Sequence, residues 1–315
     1  RRQPRVPLLL GRHGVGGAAA LPAARAALHQ ARARRSRPAR DDKVLVSWNG
    51  LMMAALAEAG AALDRPDYVA AADRNATFLL THVRGADGRL LHTWRLGRAR
   101  HQAYLEDYAA LCEGLLALYH ATFAERWVIA ATSLADAMLA HYRGDRGEFY
   151  DTADEHETLL VRPRDLQDNA VPSGGSLAVT ALARLAALTG EEKYRAAAEQ
   201  ALALLDDIPA RYPLAFGQWL IAAELMLQPP EEIVIVGPAD HAETSAMVAV
   251  ARQGLHPGRI IARAEPGALS VLSLFAGRET QGEEGHPRAW VCRGATCQAP
   301  ATSSEELQNV LGAKN

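Results

Sequence analysis

Three stretches of this chain can be laid over one another, and that repeat limits the possible fold more than any other feature. Leu51 to Leu79 (LMMAALAEAGAALDRPDYVAAADRNATFL), Leu111 to Leu139 (LCEGLLALYHATFAERWVIAATSLADAML) and Leu177 to Leu205 (LAVTALARLAALTGEEKYRAAAEQALALL) share one plan. Each is an apolar segment, a short polar turn, an aromatic and an amphipathic segment. The aromatics, Tyr68, Trp127 and Tyr194, recur at intervals of 59 and 67 residues. Repeats of this length are the signature of stacked supersecondary units. The first segment of each pair is apolar nearly all round, and the second carries apolar positions at i, i+3 and i+4 with charges opposite, which predicts inner helices backed by half-exposed outer ones. Between pairs, the glycine-containing stretches Gly85 to Thr93 and Gly144 to Thr152 read as short hairpins or loops that return the chain to its starting end. Every inner helix should therefore begin at the same end, and Ala210 to Leu227 supplies one helix more.

Composition agrees with helix packing. The 315 residues are 49% hydrophobic and 22% charged with few aromatics, the balance of an Ala/Leu-rich globular protein large enough to bury a full core. No run approaches the ~20 apolar residues of a membrane span, because Glu58, Asp136 and Glu224 interrupt the most apolar stretches. Three cysteines are too few for a disulfide framework, which fits a reducing, cytoplasmic setting. The net charge of −2 hides a split: residues 1 to 40 hold ten Arg and no acid, leaving −12 on the remainder. A transit peptide or a nucleic-acid arm would also be Arg-rich. Leu21 to Arg37 nevertheless reads as a helix with solvated arginines, so neither nucleic acid nor a membrane is expected as a partner.

After residue 230 the pattern changes. Glu232 to Gly237 (EIVIVG), Arg259 to Ala264 (RIIARA) and Ala289 to Arg293 read as strands, with helices at Ala242 to Gln253 and Ser304 to Leu311. The expected organisation is an irregular segment over 1–20, a helical-hairpin toroid over 21–230 and a small α/β appendage over 231–315 packed on it. The lone Val236-Gly237 turn lacks the glycine spacing of a dinucleotide fingerprint, and no cofactor is expected.

Polar residues gather just before the inner helices. Asp41, Asp42, Lys43, Trp48 and Asn49 precede or open the first; Tyr104, Glu106, Asp107 and Tyr108 the second; Asp165, Asp168, Asn169 and Ser173 the third. Asp, Asn and Ser are also what helix N-termini use as caps, so each taken singly has a structural explanation. Capping does not account for the aromatic company. Rings for stacking beside carboxylates and amides suit a polyhydroxylated ligand, and a pair of carboxylates whose environments separate their pKa values can do acid/base work. Glu106, Asp107 and Asp168 are the candidate catalytic residues. Glu106 and Asp107, adjacent on a helix, point about 100° apart, so one of them is expected to work with Asp168. Asp42, Trp48, Asn49, His92, Tyr104, Tyr108 and Ser173 are the candidate substrate-binding residues. His92 also qualifies as a base near neutrality for sugar isomerisation or epimerisation.

No HExxH or Cys/His spacing suggests a metal, and no Gly-x-Ser-x-Gly elbow appears. Cys292 and Cys297 in WVCRGATCQAP read as two packed thiols facing across a tight hairpin, with a reversible disulfide as the alternative.

The segments RPARDDKVLVSWNGLMMAALAEAG, YLEDYAALCEGLLALYHAT, FYDT, VRPRDLQDNAVPSGGSLAVTALARLAALTG, EEIVIVG and AWVCRGATCQAP resemble the spermatogenesis-associated thioredoxin-domain family. The resemblance spans roughly Ala24 to Leu307, with Asn169 and Gly175 departing from the family pattern. It implies an (α/α)6-type toroid like that of six-hairpin glycosidases and N-acylglucosamine epimerases, incomplete here because a thioredoxin-like domain and the first helices would precede Arg1. It places Asp42, Trp48, Asn49, Glu106, Asp107, Asp168 and Ser173 on family motifs. The functional expectation is a carbohydrate-active or carbohydrate-binding barrel with acid/base carboxylates at the inner-helix mouth. The alternative is a non-catalytic scaffold for the thioredoxin-like domain, with a redox or protein-quality role.

Overall fold

The computed structural model describes residues 15–157, 160–254, 256–278, 285–294 and 296–312. The chain divides into two compact units, 1–42 and 43–315. In the first, α1 (Val15–Ala33) corresponds to the expected arginine-bearing helix, but it begins before Leu21 and ends at Ala33, short of Arg37; it is exposed at every position from 21 to 33. Residues 1–14, most of the segment expected to be irregular, lie outside the described residues.

The second unit runs β1 (Val44–Leu45), α2 (Val46–Ala62), α3 (Pro66–His82), β2 (Leu91–Arg95), β3 (Arg98–Gln102), α4 (Leu105–Thr122), α5 (Arg126–His141), α6 (Gly174–Thr189), α7 (Glu192–Ala203), α8 (Ile208–Arg211) and α9 (Gly217–Leu227). It continues through β4 (Glu231–Val236), α10 (Ala242–Ala251), β5 (Arg259–Ala264), β6 (Arg288–Arg293), β7 (Thr296–Cys297) and α11 (Ser304–Gly312). The protein is thus mainly helical with a small α/β part, and α2/α3, α4/α5 and α6/α7 are the three hairpins read from the repeat.

Inner helices α2, α4, α6 and α9 lie side by side in that order, and the outer helices back them. In α4, 14 of 18 residues are buried, and in α6, 13 of 16, as all-round apolar segments require, whereas α2 buries six of 17 and α9 two of 11 and so are less covered than their apolar sequences predict. Outer helices bury one stripe: Ala72, Ala76 and Leu79 in α3, or Tyr194, Ala197, Ala198 and Ala201 in α7. Helices α2 and α4 approach so closely that a Cβ on Gly50 would fall 2.4 Å from the Ala110 carbonyl carbon, and one on Gly114 would fall 2.7 Å from the Gly50 oxygen.

The inner helices begin together. The Ser47 N–H at the start of α2 donates to Asp107 in the first turn of α4, and a Cβ on Gly174 of α6 would lie 3.1 Å from Glu106 N. The α9 N-terminus joins through the Gln218 N–H, which donates to Asp168. The two glycine loops that return the chain are built alike. Gly85 and Gly144 N–H donate to the carbonyls of Arg89 and Glu148, and Gly88 and Gly147 take φ of +80° and +93°, values that favour glycine. After the first loop the strands extend further than expected, giving an antiparallel sheet of order β1-β2-β3.

The appendage sheet has order β5-β4-β6-β7, with β4 parallel to β5 and antiparallel to β6. Alternation along its strands serves two cores. Val234, Val236, Ile260 and Ala262 pack on the helical core, while Ile233, Ile235, Ile261 and Val291 pack with Met247 of α10 and Leu307 of α11. Gly237 is needed for close packing, since a Cβ there would sit 2.5 Å from Thr244 Oγ1. Cys292 and Cys297, expected as two packed thiols, are joined in a disulfide, because antiparallel pairing of β6 with β7 places them directly opposite each other.

Candidate active site

The site is built where α4 begins. Tyr104 is the N-cap residue, and the carboxylate three positions on, Asp107, reaches back so that Oδ2 accepts the Tyr104 N–H at 2.9 Å. Asp107 Oδ1 accepts the Ser47 N–H at 3.0 Å, tying α2 to α4. His92, on β2, brings Nδ1 to 2.8 Å from Asp107 Oδ2. The Asp107 side chain is 0% exposed, so this is a buried carboxyl group supplied with three donors when His92 carries its proton on Nδ1. That bond fixes the tautomer and leaves Nε2 as the nitrogen for proton exchange. The hydrogen bond to Asp107 raises the His92 pKa against the effect of partial burial, and Glu106 adds to the rise.

Glu106, one residue before Asp107, is half-buried. Burial raises its pKa first, the Asp107 charge raises it further, and His92 opposes both. It lines a cleft of about 270 Å³ with Tyr104, Asp151, Asp165, Gln167, Asn169 and Ser173, just under the usual range of ligand clefts, ~300–1,000 Å³. Across the cleft, burial also raises the Asp151 pKa, against the Asp165 N–H that donates to Asp151 Oδ2 at 2.9 Å. The Tyr104 ring is 38% exposed, stacks on His156 at 5.6 Å and meets His92 edge-on at 5.1 Å.

Other expected site residues are occupied with the fold. Asp168 Oδ1 accepts the Ser173 N–H at 3.0 Å and the Ser176 hydroxyl at 2.7 Å, and Oδ2 accepts the Gln218 N–H at 2.8 Å. This carboxylate ties the loop before α6 to the starts of α6 and α9, and it does not line the cleft with Glu106. Ser173 caps α6, its Oγ accepting the Ser176 N–H at 3.2 Å, with its edge on the cleft. Tyr108 is 5% exposed in the core, and its hydroxyl accepts the Leu90 N–H. Asn49 donates to the Leu45 carbonyl and accepts from Asn75 of α3. Trp48 is 64% exposed on the first turn of α2, outside the cleft lining. Asp42 is the last residue of the N-terminal unit.

The residues not anticipated are Asp151 and Gln167, and Asp151 is the ionisable one. The repeat held the signal: GADGRLLHT over Gly85 to Thr93 and GDRGEFYDT over Gly144 to Thr152 are related by the same 59-residue offset as Tyr68 and Trp127, which superposes His92 on Asp151. Successive repeats thus deliver one ionisable side chain each, from one loop position, to one mouth. His92, Glu106 and Asp107 together offer three ligand atoms within 4.8 Å of one another, but both Asp107 oxygens already accept hydrogen bonds. Among the described residues, the other such group is the more exposed His141, Asp154 and Glu155.

Fold and site together define a helical-hairpin protein with carboxyl groups around a small cleft where its inner helices begin, next to a histidine bonded to the buried Asp107. No protein-family model matches the chain. It is 31% identical over 297 residues to spermatogenesis-associated protein 20 of Homo sapiens and 29% identical to that of Mus musculus, in each case over 90% of this chain. Over the part they share the chain matches the spermatogenesis-associated protein 20 family, and it spans 38% of the length of these relatives. Among solved structures, a cellobiose 2-epimerase from Spirochaeta thermophila matches 52% of this chain and 43% of its own at 17% identity, with a TM-score of 0.44. An unsaturated glucuronyl hydrolase specific for heparin matches 54% of this chain and 48% of its own at 19% identity, with a TM-score of 0.45. Among the described residues, no helix is long and apolar enough to cross a membrane.

Proposed function

We propose that the mouth cleft binds a polyhydroxylated, sugar-class ligand and moves a proton on it, with Glu106 and His92 exchanging protons and Asp107 positioning His92. The observation that carries this reading is the His92–Asp107 pair: a buried carboxylate holds one imidazole nitrogen at 2.8 Å, beside a second carboxyl that burial has made easier to protonate. The His92 and Glu106 pKa values are both raised, so each side chain holds a proton more readily than it would free in water, as groups that exchange protons at a C–H or hydroxyl beside a carbonyl do. Tyr104 offers the ring face and Gln167, Asn169 and Asp165 the hydroxyl partners.

Proton transfer of the isomerase or epimerase kind fits better than glycoside hydrolysis. Hydrolysis divides labour between one protonated carboxyl and one ionised carboxylate. Here burial shifts Glu106 and Asp151, which line the cleft together, toward the protonated form. The test is a thermal-shift screen of the chain against aldoses, ketoses and short oligosaccharides, repeated on Tyr104→Ala and Glu106→Gln. A sugar-specific rise in melting temperature that both substitutions diminish is expected. A folded protein that responds to no sugar would remove the reading.

A further inference from the structure

The cleft chemistry leaves the C-terminal cysteines unused, and their surroundings are specific. Cys292 on β6 is 1% exposed, while its partner Cys297 on β7 is exposed. Arg278 lies over the bond, its Nη2 3.1 Å from Cys292 Sγ and 3.2 Å from Cys297 Sγ. Arg278 also lines a depression of about 420 Å³ with Arg195, Glu232, Leu274 and Pro230. Glu232 sits opposite Cys292 on β4, and burial raises its carboxyl pKa against the Arg278 charge. The remaining cysteine, Cys112, has the reverse setting: it is fully buried among apolar side chains, and burial pushes its thiol well above the ordinary range.

A fixed cation touching both sulfurs does little for an inert cross-link, which is neutral. It matters once the bond opens, when one sulfur must leave as a thiolate, and a neighbouring Arg lowers the thiol pKa and improves the leaving group. We propose that Cys292 and Cys297 form a thiol–disulfide exchange site for thiol substrates that approach from the Arg278 depression, with Arg278 holding the departing thiolate. A substrate thiolate attacks the exposed Cys297 Sγ. The Cys292–Cys297 bond breaks and its electron pair leaves on Cys292, beside Arg278. A second substrate thiol then displaces Cys297 from the mixed disulfide. The substrate ends as a disulfide, oxidised by two electrons, the protein ends as the dithiol, and the two substrate protons pass to the protein sulfurs. The reverse sequence reduces a substrate disulfide.

The test uses the whole chain with glutathione and dithiothreitol as probes. In Cys292→Ser, Cys297 should form a mixed disulfide with oxidised glutathione, and its alkylation by iodoacetamide should show a midpoint at least about one pH unit below the ordinary thiol value of ~8.5. Arg278→Gln in that background should return the midpoint to ~8.5, and Arg278→Lys should keep part of the shift. In the otherwise unaltered chain, Arg278→Gln should slow opening of the disulfide by dithiothreitol about tenfold. Circular dichroism on each variant confirms the fold, and Arg278→Lys carries the comparison if Arg278→Gln does not fold. An ordinary midpoint whether or not Arg278 is present, or a Cys297 inert to oxidised glutathione, would overturn the proposal.

Discussion

Asp107 Oδ2 accepts from the Tyr104 backbone and lies 2.8 Å from His92 Nδ1, so the carboxylate that starts an inner helix also sets the imidazole carried by β2. One residue does the capping that sequence logic assigns to it and the positioning that chemistry needs. Asp107→Asn separates the two. The amide retains one acceptor oxygen for three donors, so stability should fall by about 1–3 kcal/mol. The His92 pKa, followed by NMR, should drop toward the ordinary value of ~6.5.

Glu106 and Asp168 should respond oppositely to loss of charge. Asp168→Ala strips an acceptor from two backbone N–H groups and a hydroxyl, so the chain should lose about 3 kcal/mol in denaturant unfolding. Glu106→Gln removes a carboxyl whose ionised form burial disfavours, so stability at pH 7 should hold or rise slightly while ligand response disappears.

His120, near the end of α4, should govern acid sensitivity. Burial first, and then the charges of Arg184 and Arg252, lower its pKa to about 4. A depressed histidine is neutral in the fold and charged when unfolded, so stability is fully present above ~6.5 and lost as pH falls toward about 4, by up to about 3 kcal/mol. His120→Gln should flatten that slope in urea titrations between the two values. His92 has the opposite sign: its raised pKa stabilises below ~6.5, and this is lost as pH climbs through the folded value.

Gly50→Ala tests the helix contact. A methyl group there meets the α4 backbone rather than a flexible side-chain end, so α2 and α4 must separate. A loss of at least about 1–3 kcal/mol is expected, with a fall in melting temperature to match.

The two helix layers were legible because burial writes itself into periodicity: α4 and α6 are apolar all round, α3 and α7 on one stripe. The appendage strands were legible from β-branched runs such as Glu231–Val236. What side chains do at the mouth was harder to read. Asp107 and Asp168 look equally catalytic in sequence, and each accepts two backbone N–H groups in the fold; only the His92 Nδ1 against Asp107 Oδ2 distinguishes the carboxylate that orients an imidazole from the one that ties a loop. Asp151 stayed hidden because its loop lies outside the helices, though the 59-residue offset that links it to His92 was present in the chain. The disulfide depended on strand register, because spacing alone left open whether Cys292 and Cys297 pack as free thiols or join.

The most direct test of the central claim is proton NMR of candidate aldoses and ketoses incubated with the chain in deuterium oxide. Exchange of a carbon-bound proton for solvent deuterium, abolished by Glu106→Gln and by His92→Gln but retained in Trp48→Ala, is the predicted result. A sugar that binds the cleft without exchanging any proton, or exchange that survives loss of both Glu106 and His92, would contradict the account.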